Sequence, residues 1–390
     1  MKIACDLSTT SAPMTARRVW SAAYHAPGGI APTLVLDFAR GVYGVAAGPL
    51  ALTAAMSFSR GSVKSVRTPS GTLIEVAAGL PAIDCDPVTG AVLGLALHEA
   101  RTNLLAVSQP TELPVVGPGR TIGLASTSLL GNPLYVTAGS GAVLLGSVTG
   151  TPPMLSAGQV FRFSCFSDQA SPMQMTMSAT SGYLGASVQR WTATLWRHAV
   201  VFTPTVAQVA DLKLQGLAGV FGGFQLEPGA AVAPYIRTSG LGVTRSAEVA
   251  QVATSLFGFA DSVGTMVIES GWDMLSANGV KLVVDRGANG RFLNSVGISV
   301  SPRSADGTTT VTPLANGVTS QALFRYATAW SGTGIAASAR GNPVASGAYD
   351  GTFGTGAVLR LGAALFNGHI RSIVQYPQRL PDAVLVALTG

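Results

Sequence analysis

Glycine and proline interrupt this chain so often that no stretch can build a long helix. The 47 glycines and 22 prolines are spread along the whole of its 390 residues. In a helix interior a glycine costs about 1 kcal/mol and a proline about 3 kcal/mol relative to alanine. Short strands joined by turns tolerate that punctuation well. Hydrophobic residues make up 47% and charged residues only 11% of the chain, against about 25% charged in an average soluble protein. The apolar material is ample for large cores, which excludes a disordered chain. The length suggests two or three domains.

Alternation marks several strands. In residues 160–166 (Val-Phe-Arg-Phe-Ser-Cys-Phe) Phe161, Phe163 and Cys165 share one face. Met173, Met175 and Met177 likewise alternate with polar residues. Residues 34–38 form a short apolar strand, and 264–272 with 280–287 read as one hairpin. A helical turn is expected within 205–214, and a short C-terminal helix is expected to begin at Pro381. Residues 1–35 show little periodicity and are expected to order only against a partner. No repeat of solenoid length is present.

The net charge is +6, from 24 basic and 18 acidic residues. The basic residues are scattered, with Arg60, Lys64 and Arg67 the main local cluster beside the pair Arg17-Arg18, which argues against a nucleic-acid footprint. The uncharged runs between Arg40 and Arg60 and over 121–161 are rich in Gly, Ser and Thr, so they read as strands and not as membrane spans. No apolar leader is read in the first residues. Cys5, Cys85 and Cys165 are odd in number and widely spaced, which predicts free, partly buried thiols of a chain assembled in a reducing cytoplasm.

Three stretches carry a family resemblance. Residues 57–105 contain Arg60, Ser62, Asp84 and a Glu99-x-Arg-Thr-Asn-Leu-Leu105 box, with an extra residue in Ala96-Leu97-His98. Residues 221–248 contain a Gln225-x-Glu227-x-Gly229 core followed by Tyr235-Ile236-x-Thr238 and Thr244-Arg245. The C-terminus shows Gly368, Ile370, Ile373, Tyr376 and Leu380 in step. The first stretch resembles structural proteins of tailed-phage particles. The second resembles the closing strand of a carbohydrate-binding-module-like jelly roll in such proteins, and the third the last strands of a concanavalin-like or laminin-G-like one.

The expected fold is therefore all-β: two β-sandwich (jelly-roll) domains, residues 104–246 and 247–390, preceded by a strand-rich attachment segment, residues 1–103. The resemblance implies a virion surface protein, in a tail fibre, head fibre, spike or baseplate, that joins other virion proteins, self-associates and adheres to host-surface glycan. Self-association is also expected on physical grounds. Exposed strand edges and apolar faces must be hidden somewhere, and the mean hydropathy of +0.40 leaves apolar surface to cover. The rival reading is a carbohydrate-active enzyme or free lectin on the same sandwiches.

Catalytic and metal chemistry is not expected. His25, His98, His198 and His369 lack metal-ligand spacing, and no cofactor motif is present. The carboxylate pairs Asp84/Asp86 and Asp261/Glu269 are the nearest approach to a glycosidase pair, and the first reads as a turn. Sugar binding is the live option. An exposed aromatic stacks on a sugar face while acidic groups orient it. Trp272, Trp330, Tyr349 and Asp350 lie in or beside loops of the last domain, with Trp272, Tyr349 and Asp350 the candidates and Trp330 open to the alternative that it ends a strand and packs in the core.

Overall fold

The computed structural model describes residues 21–176, 184–215, 218–230, 233–272, 280–286, 291–296, 303–305, 310–312, 322–332, 334–349, 356–362 and 366–390. Among these the regular structure is nearly all antiparallel strand, as expected. It forms two compact units. The first takes residues 1–59, 92–99 and 248–390; the second takes 60–91 and 100–247.

This division differs from three consecutive segments. Residues 1–103 do not stand apart but supply strands to both units. Local alternation shows that a segment is a strand without showing which strand it pairs with. Residues 21–35 also belong to the fold: Ala26, Leu34 and Val35 are buried in the first unit.

The strand Asn367–Tyr376 organises the first unit. Ile370, Ile373 and Gln375 point inward and are buried, while Ser372, Val374 and Tyr376 point to the other face. One edge of this strand is shared. Its C-terminal half pairs with Leu34–Asp37 and its N-terminal half with Val92–His98. The opposite edge runs along Gly264–Trp272, and the sheet continues through Phe324–Ser331, Gly334–Ala339 and Ala345–Gly347. A second sheet contains Ser57–Ser59, Val249–Ala253, Val358–Leu361, Val280–Asp285 and Arg291–Val296. The two sheets meet at aromatic rings: Trp330 lies 5.4 Å from Phe292 and 5.5 Å from Phe259. The hairpin expected from 264–272 and 280–287 is thus not formed, because its two strands lie in different sheets. Gly264–Trp272 is buried on both faces and takes the centre of a sheet, with a neighbour on each side.

The C-terminal helix, Asp382–Thr389, follows Pro381 as expected. Its Leu385 packs with Ala329, Ala336 and Tyr376 on the outer face of the larger sheet. Alanines there leave room for a helix to lie close.

The second unit is a sandwich of a six-stranded and a five-stranded sheet. Phe161, Phe163 and Cys165 face its core, joined by Met173, Met175, Phe221 and Phe224; Met177 lies outside the described residues. No helical turn forms within 205–214. Ala210, Leu212 and Leu214 alternate into the core, so that stretch holds the short strands Gln208–Val209 and Lys213–Gln215. Cys85 and Cys165 are free and buried, not partly exposed, and burial pushes their thiols up to about 11 and about 12.

Candidate functional site

A groove of about 420 Å³ opens on the outer face of the larger sheet of the first unit. Strand register builds its floor. One cross-strand row reads Val35, Val374, Val267, Ala327, and the row beside it reads Asp37, Ser372, Glu269, Arg325. Val35 and Ala327 are buried in the cluster that also takes Leu385, so of the apolar row only Val267 and Val374 reach the groove, next to the charged row. The C-terminal helix contributes Leu388, and the turn Ala22–Tyr24 brings Tyr24 and His25.

Each carboxylate is held by partners. The Tyr24 hydroxyl donates to Asp37 Oδ2 at 2.8 Å, and the Arg40 backbone N–H donates to Asp37 Oδ1 at 2.9 Å. The Arg40 guanidinium reaches Asp37 at 3.4 Å and lies 5.9 Å from the centre of the Tyr24 ring. The Tyr376 hydroxyl donates to the Tyr24 carbonyl at 2.8 Å, which ties the turn to the sheet. Burial and the neighbouring Asp37 push the Tyr24 hydroxyl up to about 12, and burial does the same to Tyr376. Glu269 lies between Arg325 Nε at 3.4 Å and Arg371 Nη1 at 3.5 Å.

Arg371 is the extra residue of a β-bulge. Glu269 pairs with Ser372 and Ser270 with Ile370, so Arg371 has no opposite number. Bulges re-aim side chains beside functional sites. This one sits where the edge passes from Leu34–Asp37 to Val92–His98, and its carbonyl accepts the Phe38 N–H at 3.0 Å. Gly94 lies against it. A Cβ there would overlap the Ile370 carbonyl and crowd the Arg371 Cα, and Gly94 has φ of +127°.

The residues singled out from sequence lie elsewhere. Trp272 ends its strand with no exposure; its ring stacks on Phe324 at 5.0 Å and meets Phe366 edge-on. Tyr349 is buried, and its hydroxyl donates to the Asp261 carbonyl at 2.5 Å. Asp350 lies outside the described residues. A stacking platform needs an open ring face, and neither Trp272 nor Tyr349 has one: both rings fill the core, as Trp330 does. Glu269 stands out in the sequence only as half of a pair with Asp261, which meets Arg286 instead; Asp37 and Arg371 escape a reading of the sequence although they carry a signal. Asp37, Glu269 and Arg371 are lone charges inside otherwise uncharged strand segments, where a charge needs a reason to be kept.

Other candidates resolve into structural contacts. Buried Asp84 pairs with Arg67, and Asp86 accepts the backbone N–H groups of Val88 and Thr89 in a turn. Asp261 pairs with Arg286. The His98 and His369 rings lie 6.1 Å apart edge-on, and His198 is buried with Nε2 at 2.8 Å from the Gln169 carbonyl. Among the described residues no three His, Cys, Asp or Glu side chains converge as metal ligands.

In the second unit the two sequence boxes meet at Asn103. Its amide donates to the carbonyls of Phe224 at 3.2 Å and Ile236 at 2.9 Å. Its carbonyl oxygen accepts from the N–H groups of Leu105 at 3.2 Å and Leu226 at 3.0 Å. Gln225 joins the same knot, accepting from the Ile236 N–H at 2.7 Å. Beneath it Glu227 is fully buried, with Arg197 at 3.7 Å and Arg162 directly opposite in the strand register. Burial raises the Glu227 pKa and lowers those of Arg197 and Arg162. These boxes therefore stitch a sandwich together.

Among solved structures, the chain is similar to the N-terminal CBM22-1–CBM22-2 tandem domain of Xyn10C from Paenibacillus barcinonensis. The identity is 10% and the TM-score 0.22, over 72% of this chain and 98% of that one. So distant a likeness carries no inference about the groove. No protein-family model matches the chain, and no curated protein matches it.

Proposed function

We propose that this chain is a non-catalytic binding protein of a phage-like particle and that the groove of its first unit holds a surface glycan. The observation that carries the reading is a groove whose lining sets Val267, Val374 and Leu388 beside Asp37, Ser372, Glu269 and Arg325. A sugar ring has the same division, with apolar C–H faces and a rim of hydroxyls. The partly exposed Val267 and Leu388 offer apolar contact to the face, and charged groups exchange charge-assisted hydrogen bonds with the rim. The particle assignment rests on the resemblance of residues 57–105 and 221–248 to phage structural proteins. Other virion proteins and further copies of the chain are the partners this reading implies.

One observation favours a glycosidase. Asp37 and Glu269 face the same groove with one strand between them, which puts their backbones about 9 to 10 Å apart, and inverting enzymes hold their carboxyl groups roughly 6.5 to 9.5 Å apart. Against it, both carboxylates are engaged by arginines. The test is to incubate the purified full chain with host surface polysaccharide and to follow retention and reducing ends together. Retention without new reducing ends is expected. Release of reducing ends overturns the non-catalytic reading, and failure to retain any polysaccharide overturns the glycan reading. Antibody labelling of purified particles tests the particle assignment, and unlabelled particles contradict it.

A further inference from the structure

We infer that the glycan held in this groove carries a carboxylate, received by Arg371 together with Arg325. This deepens the glycan reading above and rests on it. The bulge gives the first reason. Placing Arg371 on the groove face requires an unpaired residue in the central strand and a glycine at position 94 to let the neighbouring backbone close over it. Both features weaken a sheet, and their product is one guanidinium at the groove.

Glu269 sets the aim of that guanidinium. Its side chain is 17% exposed, beneath Arg371 at 33% and Arg325 at 51%. The nearest approaches to it are Arg371 Nη1 at 3.5 Å and Arg325 Nε at 3.4 Å. A guanidinium has five N–H donors in a rigid plane. Among the described residues neither guanidinium has another side-chain partner, so donors of two neighbouring forks are left for a ligand. Paired planar forks match a carboxylate, which accepts two parallel N–H bonds from one of them. The local charge agrees: Arg40, Arg325 and Arg371 outnumber Asp37 and Glu269 by one in the groove lining. A neutral sugar would leave that excess unanswered.

The experiment uses the full chain and two matched pairs of probes: tri-galacturonate with its carboxyl-reduced form, and sialyllactose with lactose. Calorimetric titration at low salt should show the acidic member of at least one pair binding about tenfold or more tightly than its neutral partner. That preference should shrink as salt rises from ~50 to ~300 mM, since exposed charges are screened. Arg371→Ala should abolish the preference, and Arg371→Lys should restore only part of it, because lysine keeps the charge and loses the fork. Arg325→Ala is a second variant, and a melting curve for each confirms folding. Equal binding of acidic and neutral members, unchanged by both alanine variants, overturns the inference and leaves the glycan reading intact. If no member of either pair binds while host polysaccharide is still retained, the carboxylate assignment falls alone. If that polysaccharide is not retained either, both fall.

Discussion

Asn103 shows how one amide can hold three backbone segments, through two donated and two accepted hydrogen bonds in a site closed to water. Its polar capacity is filled, which makes such a residue a fixing point and not a liability. Tyr349 is a lesser case, a buried ring with one hydroxyl bond to the Asp261 carbonyl. Tyr349→Ala should destabilise the first unit by about 3 kcal/mol in denaturant titration, as expected for a buried aromatic lost from a core, and leave polysaccharide retention per folded molecule unchanged. Lost retention at unchanged stability would restore it as a binding residue. The groove tyrosines set a pH limit. Tyr24 and Tyr376 are pushed from 10.0 up to about 12 in the folded state, so an unfolded chain ionises them first. The stability linked to them is whole below pH 10 and is lost as pH rises toward 12. Phenolate absorbance against pH should show two late-titrating groups missing from the Tyr24→Phe, Tyr376→Phe double variant; identical curves would contradict the buried geometry.

At the scale of elements, the bulge at Arg371 joins local backbone to the site. Gly94→Ala places a methyl group against the Ile370 carbonyl at a backbone angle alanine resists. It should cost on the order of 3 kcal/mol. Gly41 also has a positive φ, of +65°, but nothing lies near its Cβ position, so Gly41→Ala should cost only about 1 kcal/mol. Equal melting shifts for the two would show that close packing at the bulge is unimportant. Much of this level was legible in the sequence. Period-two alternation identified the core face of Phe161, Phe163 and Cys165, and Pro381 marked the start of the C-terminal helix. Pairing was not legible, because it is decided by contacts remote in sequence: Leu34–Asp37 finds its partner at Ser372–Gln375, which no local pattern announces. The groove was hidden for the same reason, since Asp37, Glu269 and Arg371 come together only through that register. Trp272 and Tyr349 misled because an aromatic near a strand end looks alike whether it faces solvent or core.

At the scale of the whole chain, the first unit draws on three separated segments. Its central strand Asn367–Tyr376 owes one entire edge to residues before position 99. A fragment of residues 247–390 would leave that edge unpaired and would lack Leu34, Val35, Leu95 and Leu97, all fully buried. It should therefore show no cooperative thermal transition, and deletion of residues 1–35 should lower the stability of the first unit; a cooperative transition in the isolated fragment would contradict the division into units. On the reading proposed above, the groove is where this protein meets its ligand. Val267, Val374 and Leu388 line it and give methyl signals well suited to a protein of 39.6 kDa. The most direct test is methyl-detected NMR of the full chain titrated with oligosaccharide cut from the retained host polysaccharide. Saturable shifts are expected at Val267, Val374 and Leu388, with the core methyls of Leu212, Leu214 and Leu226 in the second unit unmoved. Shifts confined to the second unit, or saturable binding that leaves the three groove methyls unmoved, would contradict it.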